Sequence, residues 1–342
     1  MSGRRIVFAT IAVAVALLLF ELGARYLEHR DPRVFVAGET PPENFMGLTM
    51  VYDPVLLWRV EAGRHRPHQT DYLVTDEGVR YGEADGPPDP TTPERIVFLG
   101  DSSVYGWDVD YGQCFAAVIG GQWSGGAAKR GIFNAGCPGY SSTQSRILLQ
   151  INLDRWRPTR VVIAAMWSDM MRTGWTDVEM FARHSSWGYR VGGGLRQTLG
   201  HSALFRLMAA LRGAPKIPPG RKLFWQTIGD ETFDGPPRVD PETHADNLRA
   251  MTAMAKGIGA KVTLLILPNT WDMQGKGPSD EAEVYFRNFH RVGEQTGAIV
   301  VDMSKEYAGA SRAEMPRYFV DEIHPSPEGH RVIAERILSA WR

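Results

Sequence analysis

The sequence predicts an α/β fold, a parallel sheet with helices on both faces, from two features of its central and C-terminal parts. Apolar, β-branched runs recur at Ile96 to Leu99, Ile132 to Asn134, Val161 to Ala165, Val262 to Leu267 and Ile299 to Asp302. Helical stretches separate most of them, and short buried strands alternating with helices are the pattern of a parallel sheet covered on both sides. Right-handed crossovers then bring the C-terminal ends of the strands to one edge, where such folds build their sites.

In chain order, the N-terminus comes first. Arg4 and Arg5 precede an uncharged apolar run from Ile6 to Phe20 that fades through Glu21 to Leu27. This run is near the lower length limit of a spanning helix, about 20 residues, and near the upper limit of a cleaved signal core. The stretch Glu21-Leu22-Gly23-Ala24-Arg25 offers no clean small-x-small cleavage site, so residues 1–28 are expected to form a retained membrane anchor, with a signal segment as the alternative. Arg25, Arg30 and Arg33 nearly balance the N-terminal charges, which leaves only a lean toward a cytoplasmic N-terminus.

Residues 29–94 are rich in Pro, Gly and short polar runs, with Pro87, Pro88, Pro90 and Pro93 crowded before the first strong strand. They read as a linker and an irregular N-terminal lobe, with Val55 to Trp58 and Tyr72 to Val74 as candidate edge strands. The main domain is expected over 95–342. Within it, Asp240 caps a helix from Pro241 to about Lys256, and Ser326 caps another from Pro327 to Trp341, each with proline at the first helical position. Residues 171–237 interrupt the alternation with Trp175, Trp187, Trp225, a Gly192 to Gly194 run and an amphipathic stretch from Leu195 to Leu211. This is an insertion over the sheet edge, either a lid or a packing excursion.

Composition excludes more than it assigns. A net charge of -1 supplies no field for nucleic acid, and two cysteines, Cys114 and Cys137, are too few for a disulfide framework or a Cys-based zinc site. One bridge between them stays open beside the simpler reading of two buried thiols. His65 and His68 lie in an Arg- and Pro-rich loop without carboxylate partners and read as solvated rather than metal-binding; His330 reads as a surface or packing residue. Gly192 to Gly194 lacks the lysine and strand of a phosphate loop. Neither a metal nor a nucleotide cofactor is implied.

The chemistry-bearing signal is Val97-Phe98-Leu99-Gly100-Asp101-Ser102-Ser103, an apolar strand running into Gly-Asp-Ser. A serine just past a strand end and entering a helix sits on rigid backbone, and its own amide can face an oxyanion. Serine needs a base, and the base needs a carboxylate to hold it. Asp321-Glu322-Ile323-His324 offers both on one loop. An α/β-hydrolase elbow would need glycine where Val104 stands.

These motifs resemble the SGNH/GDSL hydrolase family from about Arg95 to the end. Gly100-Asp101-Ser102-Ser103 is similar to its first block, Asn134-Ala135-Gly136-Cys137-Pro138-Gly139 to its second and Asp321-x-x-His324-Pro325 to its last. The resemblance implies a flavodoxin-like three-layer α/β/α sandwich with about five parallel strands. It also implies Ser102 as nucleophile, His324 as base and Asp321 as its partner, with oxyanion donors from Ser102, Gly139 and Ser168. The third block departs from the pattern: Met166-Trp167-Ser168-Asp169 carries serine where the family has asparagine, a shorter donor without a fixed direction. Asp101, Trp167 and Asp169 are candidate borders of the substrate pocket. The lead-in from Tyr52-Asp53-Pro54 to Gly78-Val79-Arg80 is similar to that of anchored bacterial members, which implies an extracytoplasmic catalytic domain, periplasmic or at the cell surface.

The expected activity is hydrolysis, or transfer, of O-acyl groups on an envelope glycan, lipid or similar molecule. The competing expectation is a catalytically weakened module that binds or assembles in a membrane complex.

Overall fold

The computed structural model describes residues 3–30, 44–123 apart from 46, 54, 68 and 69, 131–185, 202–211, 222, 227, 233–270, 280–304, 306 and 311–342. Three strands, β1 (Asn44–Phe45), β2 (Leu48–Asp53) and β3 (Leu57–Val60), pair antiparallel as a small sheet. The main sheet takes β4 (Gly63–His65), β5 (Tyr72–Val74), β6 (Arg80–Tyr81), β7 (Ile96–Gly100), β8 (Ile132–Asn134), β9 (Arg160–Ala164), β10 (Lys261–Ile266) and β11 (Ile299–Asp302). Their spatial order is β11-β10-β9-β7-β8-β6-β5-β4.

The five strands from β7 to β11 are mutually parallel, and they are the five apolar runs of the sequence. Every residue of β7 and β9 is buried, which is why these segments read as unbroken apolar runs and not as alternation. Each Val, Ile, Leu or Phe so buried contributes about 1.5–3 kcal/mol. The chain steps from β7 to β8 on one side, then crosses back over β7 to β9, so the strand order reverses beside β7. That switch point leaves a crevice at the strand C-termini.

The N-terminal lobe extends this sheet across residue 95. β6 pairs antiparallel with β8 through Arg80 and Asn134, β5 pairs with β6, and β4 forms the outer edge. His65 is not solvated as expected: it is buried in β4, accepts the Thr49 amide at Nδ1 (3.5 Å) and lies 2.7 Å from the Glu61 carbonyl through Nε2, which ties β4 to the small sheet. His68 lies outside the described residues.

The helices are α1 (Gly3–Arg30), α2 (Ser102–Tyr105), α3 (Phe115–Trp123), α4 (Ser142–Trp156), α5 (Trp167–Met170), α6 (Asp177–Ser185), α7 (Ala203–Leu211), α8 (Pro241–Gly257), α9 (Asp280–Thr296), α10 (Met315–Tyr318) and α11 (Pro327–Trp341). α4, α8 and α9 pack in a row, and α3 packs with α11, giving the two helical groups of a three-layer sandwich. Asp240 and Ser326 cap α8 and α11 with side-chain oxygens, as the residue pattern predicts. Cys114 and Cys137 are both buried and free, so the open question of a bridge resolves to two thiols. His330 is fully buried, and its Nδ1 accepts the Phe115 amide (3.3 Å).

α1 contains a 21-residue apolar segment, Val7–Leu27, long enough to cross a membrane at a rise of about 31 Å. Its side chains are largely exposed, and one end touches the rest of the chain. The Glu21 carboxylate accepts hydrogen bonds from Ser202 Oγ (2.7 Å) and from the amides of Ala203 and Leu204 (3.0 Å each), capping α7. Ala24 packs on Ala203 beside Leu204 and Leu207. α7 and α6 fall within residues 171–237, whereas Trp187, Gly192 to Gly194 and Trp225 lie outside the described residues.

Candidate active site

Ser102 is the first residue of α2, at the end of β7. Asp101 is the helix cap, its Oδ1 accepting the Ser103 amide at 3.0 Å. The turn is tight on every side. A Cβ at Gly100 would meet Val104 Cγ2 at 2.4 Å and the Ala164 carbonyl at 3.1 Å, so only glycine fits between β7, β9 and α2. Behind the turn lies Arg80, fully buried, whose guanidinium donates to the carbonyls of Tyr105 (2.7 Å), Gly106 (2.6 Å) and Val109 (2.7 Å) and stacks 4.1 Å from the Tyr72 ring. Tyr105 and Gly106 are the last residue and the cap of α2, where a helix leaves carbonyls open, so Arg80 fixes the far end of the nucleophile turn.

His324 reaches Ser102 from the other end of the chain. Its Nε2 lies 2.6 Å from Ser102 Oγ and its Nδ1 lies 2.6 Å from Asp321 Oδ2. With the Nδ1 proton donated to the carboxylate, Nε2 accepts the serine proton, the tautomer a general base requires. The three-residue spacing has a local cause: Asp321 Oδ1 also accepts the amides of Ile323 (3.0 Å) and His324 (2.9 Å), folding the carboxylate onto its own loop. Bonds from Val320 N to the His324 carbonyl (2.9 Å) and from Ser103 Oγ to the Ile323 carbonyl (3.1 Å) close the loop and dock it on the turn. Partial burial pushes the Asp321 carboxyl up, but the His324 hydrogen bond and charge and the two amides outweigh it and hold the group below the usual carboxylate range.

The loop after β8 forms the facing wall. Tyr140 N bonds to the Cys137 carbonyl (2.9 Å) around Pro138 and Gly139, and Gly139 has φ +77°. Proline second and a left-handed glycine third define a type II turn. Gly139 N–H has no protein acceptor among the described residues, and Ser102 N–H, as a first helical amide, has none within its helix.

Behind this wall the start of α4 is heavily bonded. Ser141 Oγ donates to Asp177, Ser142 N donates to Asp169 Oδ1 (2.7 Å), and Gln144 Nε2 donates to the Leu56 carbonyl (2.7 Å). Arg238, buried, pairs with Asp177 through Nε (2.6 Å) and donates from its two terminal nitrogens to the Gly139 carbonyl and to Gln144 Oε1.

Of the predicted site residues, Ser102, His324 and Asp321 are brought into one hydrogen-bonded line. Ser168 is buried, its amide faces the Asp101 carboxylate, and its hydroxyl bonds no protein group among the described residues. The three expected pocket borders, Asp101, Trp167 and Asp169, are all buried. Asp101 and Asp169 are fully buried and turned inward to cap α2 and α4, and burial pushes both carboxyls up. Trp167 is buried with its ring edge-on to Phe286, 6.1 Å between centroids. Arg80, Arg238 and Asp177 escaped the sequence reading. The Gly78-Val79-Arg80 run was visible there, but nothing local distinguishes a buried arginine from a surface one.

A parallel α/β/α sandwich with a Ser–His–Asp line at its switch point is the layout of an SGNH-type hydrolase. A family profile matches residues 98–332, and the chain belongs to the GDSL-like lipase/acylhydrolase family. Comparison with curated proteins gives no match. Among solved structures, the chain is similar to LAE5, an alpha/beta hydrolase enzyme from the metagenome of Lake Arreo, Spain (16% identity, 73% of this chain and 95% of that one, TM-score 0.46). It is also similar to the psychrotrophic esterase EstA from a Pseudoalteromonas species (14%, 72% and 96%, TM-score 0.43) and to Axe2, an acetyl-xylooligosaccharide esterase from Geobacillus (15%, 73% and 94%, TM-score 0.44).

Proposed function

We propose that the protein is a membrane-anchored serine esterase that removes or transfers O-acyl groups on an envelope glycan, lipid or similar surface molecule. The observation that carries this reading is the continuous line from Asp321 through His324 to Ser102, with 2.6 Å at each step. Ser102 Oγ attacks the acyl carbonyl as His324 Nε2 takes its proton. The N–H groups of Ser102 and Gly139, with Ser168 as third donor, receive the oxyanion. His324 returns the proton to the departing alcohol, leaving an acyl-serine. Water, activated by the same imidazole, then releases the acid, whereas a sugar hydroxyl in its place completes acyl transfer.

The apolar segment of α1 supports the anchor, and the Glu21 cap on α7 supports its retention, since cleavage would strip the α7 N-terminus of its acceptor. Residues 1–28 are the anchor, 29–94 the lead-in and 95–342 the hydrolase domain, which faces the extracytoplasmic side. An ester linked to the envelope is then the substrate within reach.

Purified in detergent, the full chain is expected to release p-nitrophenol from its acetyl ester, and Ser102→Ala to stop the release. Equal rates for the two would remove the esterase reading. A C-terminal reporter active only in the cytoplasm would refute the orientation.

A further inference from the structure

The apolar segment of α1 holds a carboxylate, Glu21, whose place along the helix sets its depth. The uncharged stretch from Ile6 to Phe20 rises about 22 Å, short of the hydrocarbon core of a bilayer at about 30 Å. A crossing helix therefore has to use residues beyond Phe20, and the apolar segment does run on to Leu27, about 9 Å past Glu21 along the axis. Glu21 thus lies within the span and not above it.

A carboxylate at that depth is unfavourable unless its oxygens are hydrogen-bonded, because little water is at hand. Glu21 Oε1 accepts from Arg25 Nε (2.8 Å) and the Ala203 amide (3.0 Å), and Oε2 accepts from Ser202 Oγ (2.7 Å) and the Leu204 amide (3.0 Å). The same contacts answer a need of α7, since the first amides of a helix have no acceptor within it. Carboxylate and helix start satisfy each other, so the start of α7 shares the depth of Glu21.

The rest of α7 suits that depth. Ala203 to Leu211 reads Ala-Leu-Phe-Arg-Leu-Met-Ala-Ala-Leu, in which Arg206 alone is charged. Leu204 and Leu207 pack beside the Ala24–Ala203 contact, which turns one apolar face of α7 on α1. Met208 stays outside that contact and is 56% exposed, as Leu18, Leu22 and Leu27 of α1 are also exposed. Interfacial helices sink their apolar side chains by about 5–10 Å, the distance that separates Glu21 from the end of the span.

We propose that α7 lies in the surface layer of the bilayer beside the C-terminal part of α1, with lipid acyl chains covering Met208. The proposal rests on the reading of α1 as a membrane anchor. It makes the 171–237 insertion a second membrane-contacting element, held at its depth by Glu21.

The test places a thiol-linked nitrobenzoxadiazole probe on full chains in phosphatidylcholine vesicles, at Met208→Cys, at Leu17→Cys in α1 or at Ile151→Cys on the exposed side of α4. Cys114 and Cys137 are buried, which leaves labelling to the new thiol. Probes at positions 17 and 208 should emit at shorter wavelength than the probe at 151. They should lose fluorescence to phosphatidylcholine carrying a nitroxide on its acyl chain, and the probe at 151 should lose it to aqueous iodide instead. In a Glu21→Ala background, the probe at 208 should lose part of its lipid quenching while the probe at 17 keeps its own. A probe at 17 that lipid does not quench would strike the anchor reading. Quenching at 17 with a probe at 208 open to iodide would overturn the proposal alone, and a probe at 208 shielded from both quenchers would overturn it in favour of a protein partner. Lipid quenching at 208 that Glu21→Ala leaves unchanged would overturn the part given to Glu21.

Discussion

Replacing Gly136 with alanine is the sharpest single perturbation of the wall facing Ser102. Gly136 does not have positive φ, so an added methyl meets no backbone strain and acts only through what it touches. It would stand 2.5 Å from Tyr105 N and 2.9 Å from both the carbonyl carbon and Cβ of Val104. Ordinary contact begins at 3.4 Å, so loop and helix must part by about 0.9 Å, and none of these atoms is the end of a flexible side chain. α2 cannot yield, because Arg80 grips the carbonyls of Tyr105 and Gly106. The loop from Ala135 to Gly139 therefore moves, and it carries the Gly139 amide with it. A displacement near 1 Å at a reacting group lowers turnover about 100-fold, and overpacking of this kind destabilises by about 1–3 kcal/mol. The assay is kcat on p-nitrophenyl acetate beside a thermal melt. A Gly136→Ala protein with wild-type kcat and melting temperature would refute the close packing of the loop on α2.

Further outcomes follow from other parts of the molecule. Ser168→Asn is expected to raise kcat by about 10-fold or more by supplying a longer amide donor, and an unchanged kcat in a folded variant would place residue 168 off the oxyanion. Burial holds His244 down to about 4 and His330, with the Arg80 charge near it, to about 3, against 6.5 in the unfolded chain. The unfolded chain thus binds protons that the folded one excludes. Their contribution to stability is complete above pH 6.5 and is lost as pH falls toward 4, at roughly 2–3 kcal/mol per pH unit near pH 5; equal urea stability at pH 7 and pH 5 would contradict it. Burial pushes the Cys137 thiol up to about 12 and raises that of Cys114, so iodoacetamide should label neither thiol in the native protein and both in urea. Rapid native labelling, or none after unfolding, would contradict two buried free thiols.

The parallel half of the sheet was legible because its strands are buried on both faces and long enough to show as apolar runs. β4 and β6 were not, since Gly63–His65 and Arg80–Tyr81 are two or three residues long and carry polar side chains. They are strands because of what lies beside them: Arg80 pairs with Asn134 in β8, and no local pattern announces that. The serine, histidine and aspartate were readable because each sits in a short motif tied to a strand end or a loop. The groups behind the facing wall were not. Arg238 and Asp177 are 61 residues apart and meet only once the insertion has folded back. Asp101 and Asp169 carry a role that their motifs did not announce: their carboxylates face helix N-termini that need acceptors.

The Glu21 cap on α7 bears on how the enzyme can move. A body joined to its anchor by chain alone pivots freely and samples every orientation above the bilayer. Glu21, reinforced by Ala24 against Ala203, instead fastens α1 to α7, a helix of the 171–237 insertion. For a chain held through α1, this piece of the insertion then stays beside the anchor at the lipid surface, whichever way the catalytic body turns.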